Sequence, residues 1–277
     1  MQTLKPTLLL DGLVVPEGPR WRDGKLWFAD IWGNKVMTVD EQGQTELIAE
    51  MEKPSGLGFL PDGSLLVCTF TRQLVKVDED GPKMILDMSP YAQRSLNDMV
   101  VDGHGRAYVD AYNIGEGLPP GAIVLVTPDG DARIVAEDLS APNGCVITPD
   151  GKTYIVAQMG AHELTAFTVQ PDGSLADRRV FAKLDAAPDG VCLDAEGAVW
   201  VGQYEEGRFI RVKEGGEVTH TVPMPGKWTV APMLGGADRR TLFLLASITS
   251  TEDLIQRGKS EGSISTVRVE VPGAGWP

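Results

Sequence analysis

Four residues in this chain have the right type and setting for chemistry. Glu17 lies in PEGP, Asn97 in LNDM, Asn143 in APNG and Asp189 in APDG. Each stands just before an apolar run that reads as a strand. Two carboxylates with amide carbonyls form a hard oxygen set suited to Ca²⁺, Mg²⁺ or Mn²⁺. Zinc is compatible, although it more often recruits His or Cys. Two buried carboxylates without a cation are costly, so their convergence would point to a metal site. The plain alternative is that Asn and Asp beside Gly are turn residues bonding their own backbone. Against it, PDG (149–151) and DAEG (194–197) follow about seven residues on and already fill the slots where turns are needed.

Residues this far apart meet only if the chain repeats. Related turn-then-strand segments occur at 16–30, 54–69, 96–110, 142–157 and 188–202, with a weaker copy at 228–246. The equivalent positions are Glu17, Ser55, Asn97, Asn143, Asp189 and Thr229, in steps of 38, 42, 46, 46 and 40 residues. A period of roughly 40–50 residues with several strands per unit indicates a propeller. The first unit offers four strands, about 18–22, 25–30, 34–39 and 44–49. Asp23-Gly24, Gly33-Asn34 and Glu41-Gln42-Gly43 separate them as turns. Helical periodicity is absent over any long span; 88–95 and 251–257 read as loops or single turns.

The expected fold is therefore all-β, a six-bladed β-propeller in one domain spanning 1–277. A four-stranded sheet cannot bury both faces alone, but sheets stacked radially bury each other. The segment 262–271 looks like a strand without a unit, and is expected to join a sheet with N-terminal residues 7–15. The first strand of each blade would line the channel. Glu17, Asn97, Asn143 and Asp189, from blades one, three, four and five, would then meet at one mouth. A β-sandwich or two smaller β domains is the competing architecture, and no linker or composition shift supports a boundary.

Composition bounds the function. Of 277 residues 42% are hydrophobic, enough for a substantial core. The formal charge of −14 argues against a nucleic-acid binder and against docking on an anionic membrane surface. No stretch approaches about 18 consecutive apolar residues, so no membrane span is expected, and a cytoplasmic setting is the default expectation. Cys68, Cys145 and Cys192 form no CxxC pair and are expected to be buried free thiols. A monomer or small homo-oligomer is expected.

Other candidates are secondary. Asp98 follows Asn97 and is either a second carboxylate near the site or an outward turn residue. His104 and His220 read as structural; His162, after a loop, is a candidate substrate contact. Trp32, Arg94, Tyr112, Tyr204 and Trp228 fall at strand ends where they could form walls of the mouth. There is no GxSxG elbow, and the Gly-rich spots lack a phosphate-loop setting.

Taken in order, EGPRWRDGKLWFADIWGNKV, LNDMVVDGHGRAYV, APNGCVITPDGKTYIV, APDGVCLDAEGAVWV and LGGADRRTLFLLAS resemble the senescence marker protein-30/gluconolactonase/luciferin-regenerating enzyme family of six-bladed propeller hydrolases, over roughly residues 10–270. The resemblance implies one divalent cation (Ca, Zn, Mn, Mg or Fe), held by Glu17, Asn143 and Asp189. It implies that Asn97 touches substrate or water, and that the reaction opens a sugar-acid lactone to the hydroxy acid. Asp189 is then the expected proton acceptor, with Asp98 as reserve base. One departure stands out. Some sugar-lactonase members carry an Arg two residues before the Asn of the ND pair; here that position is Ser95, and the Arg comes one earlier, at Arg94. Trp228 and a Met-containing run also fall where some relatives have small or thiol residues. A non-sugar lactone or ester therefore stays open as substrate. So do a non-hydrolytic isomerase or hydratase and a metal-stabilised binding module.

Overall fold

The turn chemistry of the first repeat sets the pattern. Asp23 (φ 51°) and Gly24 (φ 77°) both take left-handed backbone, which a tight two-residue hairpin requires. They join Pro16–Arg22 to Lys25–Asp30, and Lys35–Val39 and Thr45–Glu50 complete an antiparallel sheet in sequence order. A computed structural model describes residues 1–275; the expected domain span of 1–277 ends in two residues that lie outside the described ones. Six such sheets follow one another along the chain. The first strands of the six are Pro16–Arg22, Pro54–Phe59, Ser95–Val101, Pro142–Ile147, Pro188–Leu193 and Trp228–Gly235. Each packs against the first strand of the next, and the sixth packs against the first, so the ring closes. The architecture is the six-bladed β-propeller expected from the repeat.

Burial follows from that stacking. Pro54–Phe59 is buried along its whole length, whereas Gly81–Asp87, the outermost strand of the same blade, is largely exposed. The hydrophobic core lies between blades. Val36, Leu57, Val67 and Val75 fill the space between blades one and two. Tyr108, Ile123, Tyr154 and Phe167 do the same between three and four. Phe28, Trp200, Phe209 and Leu244 join blades one, five and six. Each such side chain contributes roughly 1.5–3 kcal/mol by leaving water. Cys68, Cys145 and Cys192 are free and buried, as expected.

The ring is fastened as the sequence suggested. Thr7–Leu13 pairs antiparallel with Glu261–Arg268 and becomes the outer strand of blade six, so the two ends of the chain complete one blade. A second fastening was not foreseen. Gln2–Thr3 adds in parallel to Val218–Pro223, the outer strand of blade five. The expectation of a single turn at 251–257 is corrected: Thr251–Arg257 is a two-turn helix. Ser250 caps it by accepting from the Asp253 amide, and Arg257 pairs with Glu252 and Asp253. These local contacts sustain a helix too short for hydrophobic periodicity to reveal. Among the described residues no helix is long and apolar enough to cross a membrane.

Candidate metal and substrate site

Every inner strand slips register immediately after its start, at Glu17/Arg20, Pro54/Leu57, Leu96/Met99, Pro142/Cys145, Pro188/Val191 and Thr229/Ala231. Such a bulge re-aims the side chain beside it. The glycine that follows the functional residue in NG and DG is not a turn glycine. A Cβ on Gly144 would fall 2.5 Å from the Gly190 Cα of the next blade, so the residue must be Gly for the inner strands to approach.

Glu17, Asn143 and Asp189 occupy the same place in their bulges and are only 3%, 3% and 4% exposed. Glu17 Oε2 accepts from the Gly18 amide and Asn143 Oδ1 from the Gly144 amide, both at 2.7 Å. The self-bonding feared of turn residues does occur, but on side chains buried at the channel. Burial raises the Glu17 carboxyl well above its ordinary range, and the nearby Asp189 and Asp98 raise it further. Asp189 is also raised, by burial first and then by Asp98, while hydrogen bonding from the Asn143 side chain works the other way. Residues 172 positions apart in sequence thus feel one another's charge. At the two remaining repeat positions, hydroxyls tie blades together. Ser55 donates to the Asn97 carbonyl, and Thr229 to the Gln203 carbonyl at 2.8 Å.

Blade three adds a polar cluster. Asp98 points inward, not outward: it is 4% exposed and pairs with Arg20 of blade one at 3.2 Å. Arg20 also donates to the Pro19 and Met99 carbonyls. Asp110, fully buried, accepts from the backbone amides of Asn97 and Asp98 at 2.7 and 3.0 Å. The Asn97 side-chain Nδ2 is buried and has no hydrogen-bond partner in the protein. Arg20 further lines a cavity of about 470 Å³ at the opposite end of the channel, and so separates it from the carboxylates. Neither Arg20 nor Asp110 was singled out in the sequence. A basic residue in the inner strand of blade one and an acid in the otherwise uncharged second strand of blade three were the available signals.

The rim is aromatic. Tyr204 and Trp228 pack with ring centroids 4.7 Å apart and planes tilted by 35°, and Trp32 meets Phe70 edge-on at 5.6 Å. Trp32, Phe70 and Trp228 pack on Val15, Ile31 and Leu254, the last from the short helix. Lys53 Nζ lies 4.7 Å above the Trp32 ring. Tyr112 donates to Met159 Sδ. Burial first, then Asp189, pushes up the hydroxyls of both Tyr112 and Tyr204, which places these tyrosines beside the carboxylates. Arg94 is exposed and donates to the Ile114 carbonyl, in the loop that follows Tyr112. His162 is not brought to the cluster. It is exposed, in left-handed backbone (φ 51°), where it ends a single 3-10 turn.

The donor chemistry fits a divalent cation. Glu17, Asp98, Asp110 and Asp189 bring four buried carboxyls into one another's field, and among the described residues Arg20 is the guanidinium paired with them, through Asp98. Fully ionised, the set carries a large excess of negative charge that a dication would offset. Among the described residues no three His, Cys, Asp or Glu side chains converge as ligands; the candidate set is two carboxylates and an amide, Glu17, Asp189 and Asn143.

Comparison with known proteins shows what the chain as a whole is similar to. The chain is 27% identical over 276 residues to a 6-deoxy-6-sulfogluconolactonase of Pseudomonas putida, covering 95% of this chain and 94% of that one. Its structure superposes on luciferin-regenerating enzyme with a TM-score of 0.83 at 19% identity, covering 97% of both chains. It superposes on the gluconolactonase XC5397 of Xanthomonas campestris with a TM-score of 0.76 at 25% identity, covering 96% of this chain and 88% of that one. The family model described as the SMP-30/Gluconolactonase/LRE-like region matches residues 15–248. With a match across that much of the propeller, including every inner strand, the chain belongs to the SMP-30/gluconolactonase/LRE-like family.

Proposed function

We propose that this protein is a divalent-metal-dependent lactonase that opens a small lactone to its hydroxy acid. What supports the reading is that Glu17, Asn143 and Asp189, from three blades, are buried at equivalent places and Glu17 and Asn143 both act on Asp189 or feel its charge, with an unpartnered Asn97 amide at the equivalent place of blade three. Lactone-hydrolysing relatives, among them the sulfogluconolactonase and the gluconolactonase, support the reaction class. Glu17, Asn143 and Asp189 would hold the cation. When bound, it would supply Lewis-acid polarisation of the ester carbonyl and offset the negative charge that develops on its oxygen.

The chain's own groups do the rest. Asp189 accepts a proton from the attacking water as the water oxygen bonds to the carbonyl carbon. The ring C–O bond then breaks, and the departing alkoxide oxygen takes the proton back from Asp189, which leaves an alcohol and a carboxylic acid that releases its remaining proton to solvent. Asn97 Nδ2 donates to a substrate oxygen and fixes its orientation. Asp98 remains the reserve base, but its ion pair with Arg20 at 3.2 Å makes Asp189 the better acceptor. Tyr112, Tyr204, Trp228 and Trp32 would form the walls of the pocket, with Arg94 at its edge. A sugar-acid lactone suits the family; the aromatic rim also suits a less polar lactone or ester.

The test is chelator treatment followed by acid release from sugar, aliphatic and aromatic lactones, with and without each divalent ion. Activity lost with the metal and restored by it is the expected result. No turnover of any lactone in the metal-loaded protein would overturn the reading and favour an isomerase, a hydratase or a binding module.

A further inference from the structure

The residue opposite the functional position on the second strand of each blade is Ala29, Cys68, Asp110, Ala157, Gly202 and Ala246 in blades one to six. Five blades place a small side chain there, against the bulge of the inner strand. Blade three alone places a carboxylate, and it is fully buried. Among the described residues no Lys, Arg or His pairs with it. A lone buried carboxylate is costly, so its hydrogen bonds must offset that cost. They are two bonds from successive backbone amides, Asn97 and Asp98, at 2.7 and 3.0 Å, and they act against burial, which raises the carboxyl well above its ordinary range.

The bulge that it binds is also different. Glu17, Ser55, Asn143 and Asp189 are each followed by Gly, but Asn97 is followed by Asp98. Blade three therefore carries a side chain where four blades have none, and that side chain reaches Arg20. The Asn97 peptide is held on both sides, with its amide on Asp110 and its carbonyl on Ser55 and Cys68. With its backbone fixed, the side-chain amide of Asn97 stays buried with Nδ2 unpartnered.

We propose that Asp110 is a positioning residue of the site: by binding the Asn97 and Asp98 amides it holds the blade-three bulge in the form that presents Asn97 Nδ2 to substrate. The proposal rests on the lactonase reading for its catalytic consequence. Asp110 makes no hydrogen bond to Glu17, Asn143 or Asp189, although it shares the field of Asp189, so the ligand set itself should survive its loss.

Asp110→Ala installs the residue that blades one, four and six already carry at this place. The expected result is a kcat lower by about 10–100-fold, the usual effect of losing a residue that orients a catalytic group. KM and cation affinity should change little. In the double variant with Asn97→Ala, the loss should be no greater than for Asn97→Ala alone, because Asp110 acts through Asn97. Losses that multiply would overturn the proposal. Asp110→Asn keeps the shape, leaves one acceptor for two amides, and should also lower kcat; full activity would assign Asp110 a space-filling role. Independently of turnover, hydrogen exchange at the amides of 97 and 98 should be slow in the wild type and faster in both variants. Unchanged exchange overturns the proposal. A wild-type protein that opens no lactone overturns the lactonase reading and the catalytic consequence with it, while exchange still decides whether Asp110 holds the two amides.

Discussion

Arg20 of blade one and Asp98 of blade three meet across the channel at 3.2 Å, each about 6% exposed in its side chain. They form the floor of the carboxylate cluster. Arg20 pairs its positive charge with Asp98 and lowers the Glu17 carboxyl against the effect of burial. Removing it leaves a buried charge unpaired. Arg20→Met should therefore destabilise the metal-free protein by about 3–5 kcal/mol. Thermal unfolding after chelation measures it, and a change below about 1 kcal/mol would show that the pair contributes like an exposed one.

Asp189→Asn should reduce turnover by about 10²–10⁴-fold, the range for loss of a general base. The same change removes a buried carboxyl that its surroundings already push toward the neutral form, so the metal-free protein should be no less stable than wild type. Turnover against a lactone and unfolding of the same preparation separate the two effects. Retained turnover would move the proton acceptor to Asp98.

Glu17 and Asp189 are both raised above their ordinary carboxyl range. In the metal-free fold they keep protons that the unfolded chain has released. Their contribution to stability is complete below the ordinary carboxyl pKa and is lost as pH rises through the raised values. Metal-free protein should thus lose melting temperature as pH rises above the ordinary carboxyl range. A divalent cation at about 100 times its Kd should add about 2.7 kcal/mol and offset that loss, because it binds the ionised form. A melting temperature independent of pH and of every cation tried would remove the metal site.

Much of this was legible in the sequence because a propeller writes its geometry as a repeat. Glu17, Asn143 and Asp189 could be aligned by their steps, and blade six could be closed from the orphan strand near the C-terminus. What escaped depends on neighbours that no repeat reveals. Gln2–Thr3 is too short to carry a pattern and finds its place only against Val218–Pro223. The glycines of NG and DG look like turn residues until the adjacent inner strand is present. His162 ends a 3-10 turn at the place Gly207 takes in blade five, and left-handed backbone leaves its side chain exposed. Asp110 was visible as an acid in AYVDAY, but its meaning required lining up the second strands as well as the first.

The rim decides which lactone fits, and two of its residues make opposing demands. Tyr204 and Trp228 present a pair of rings packed at a tilt; such surfaces favour flat or apolar groups, at about 0.5–1.5 kcal/mol per aromatic contact. Arg94 is tethered to the Ile114 carbonyl beside Tyr112 and offers hydrogen bonds to hydroxyls or an anionic group. Trp228→Ala should raise KM about 3–10-fold for an aromatic or aliphatic lactone if such a compound is the good substrate. The kcat should hold, because the ring touches none of the reacting atoms. Arg94→Ala should do the same for a sugar lactone and leave an aliphatic one unaffected. Steady-state constants for both variants on one sugar and one aliphatic lactone give a crossed pattern if each residue acts as assigned. A sugar-lactone KM that is indifferent to Arg94 would show that the guanidinium stays on its loop, and that moving the Arg from position 95 to 94 has taken it out of the pocket.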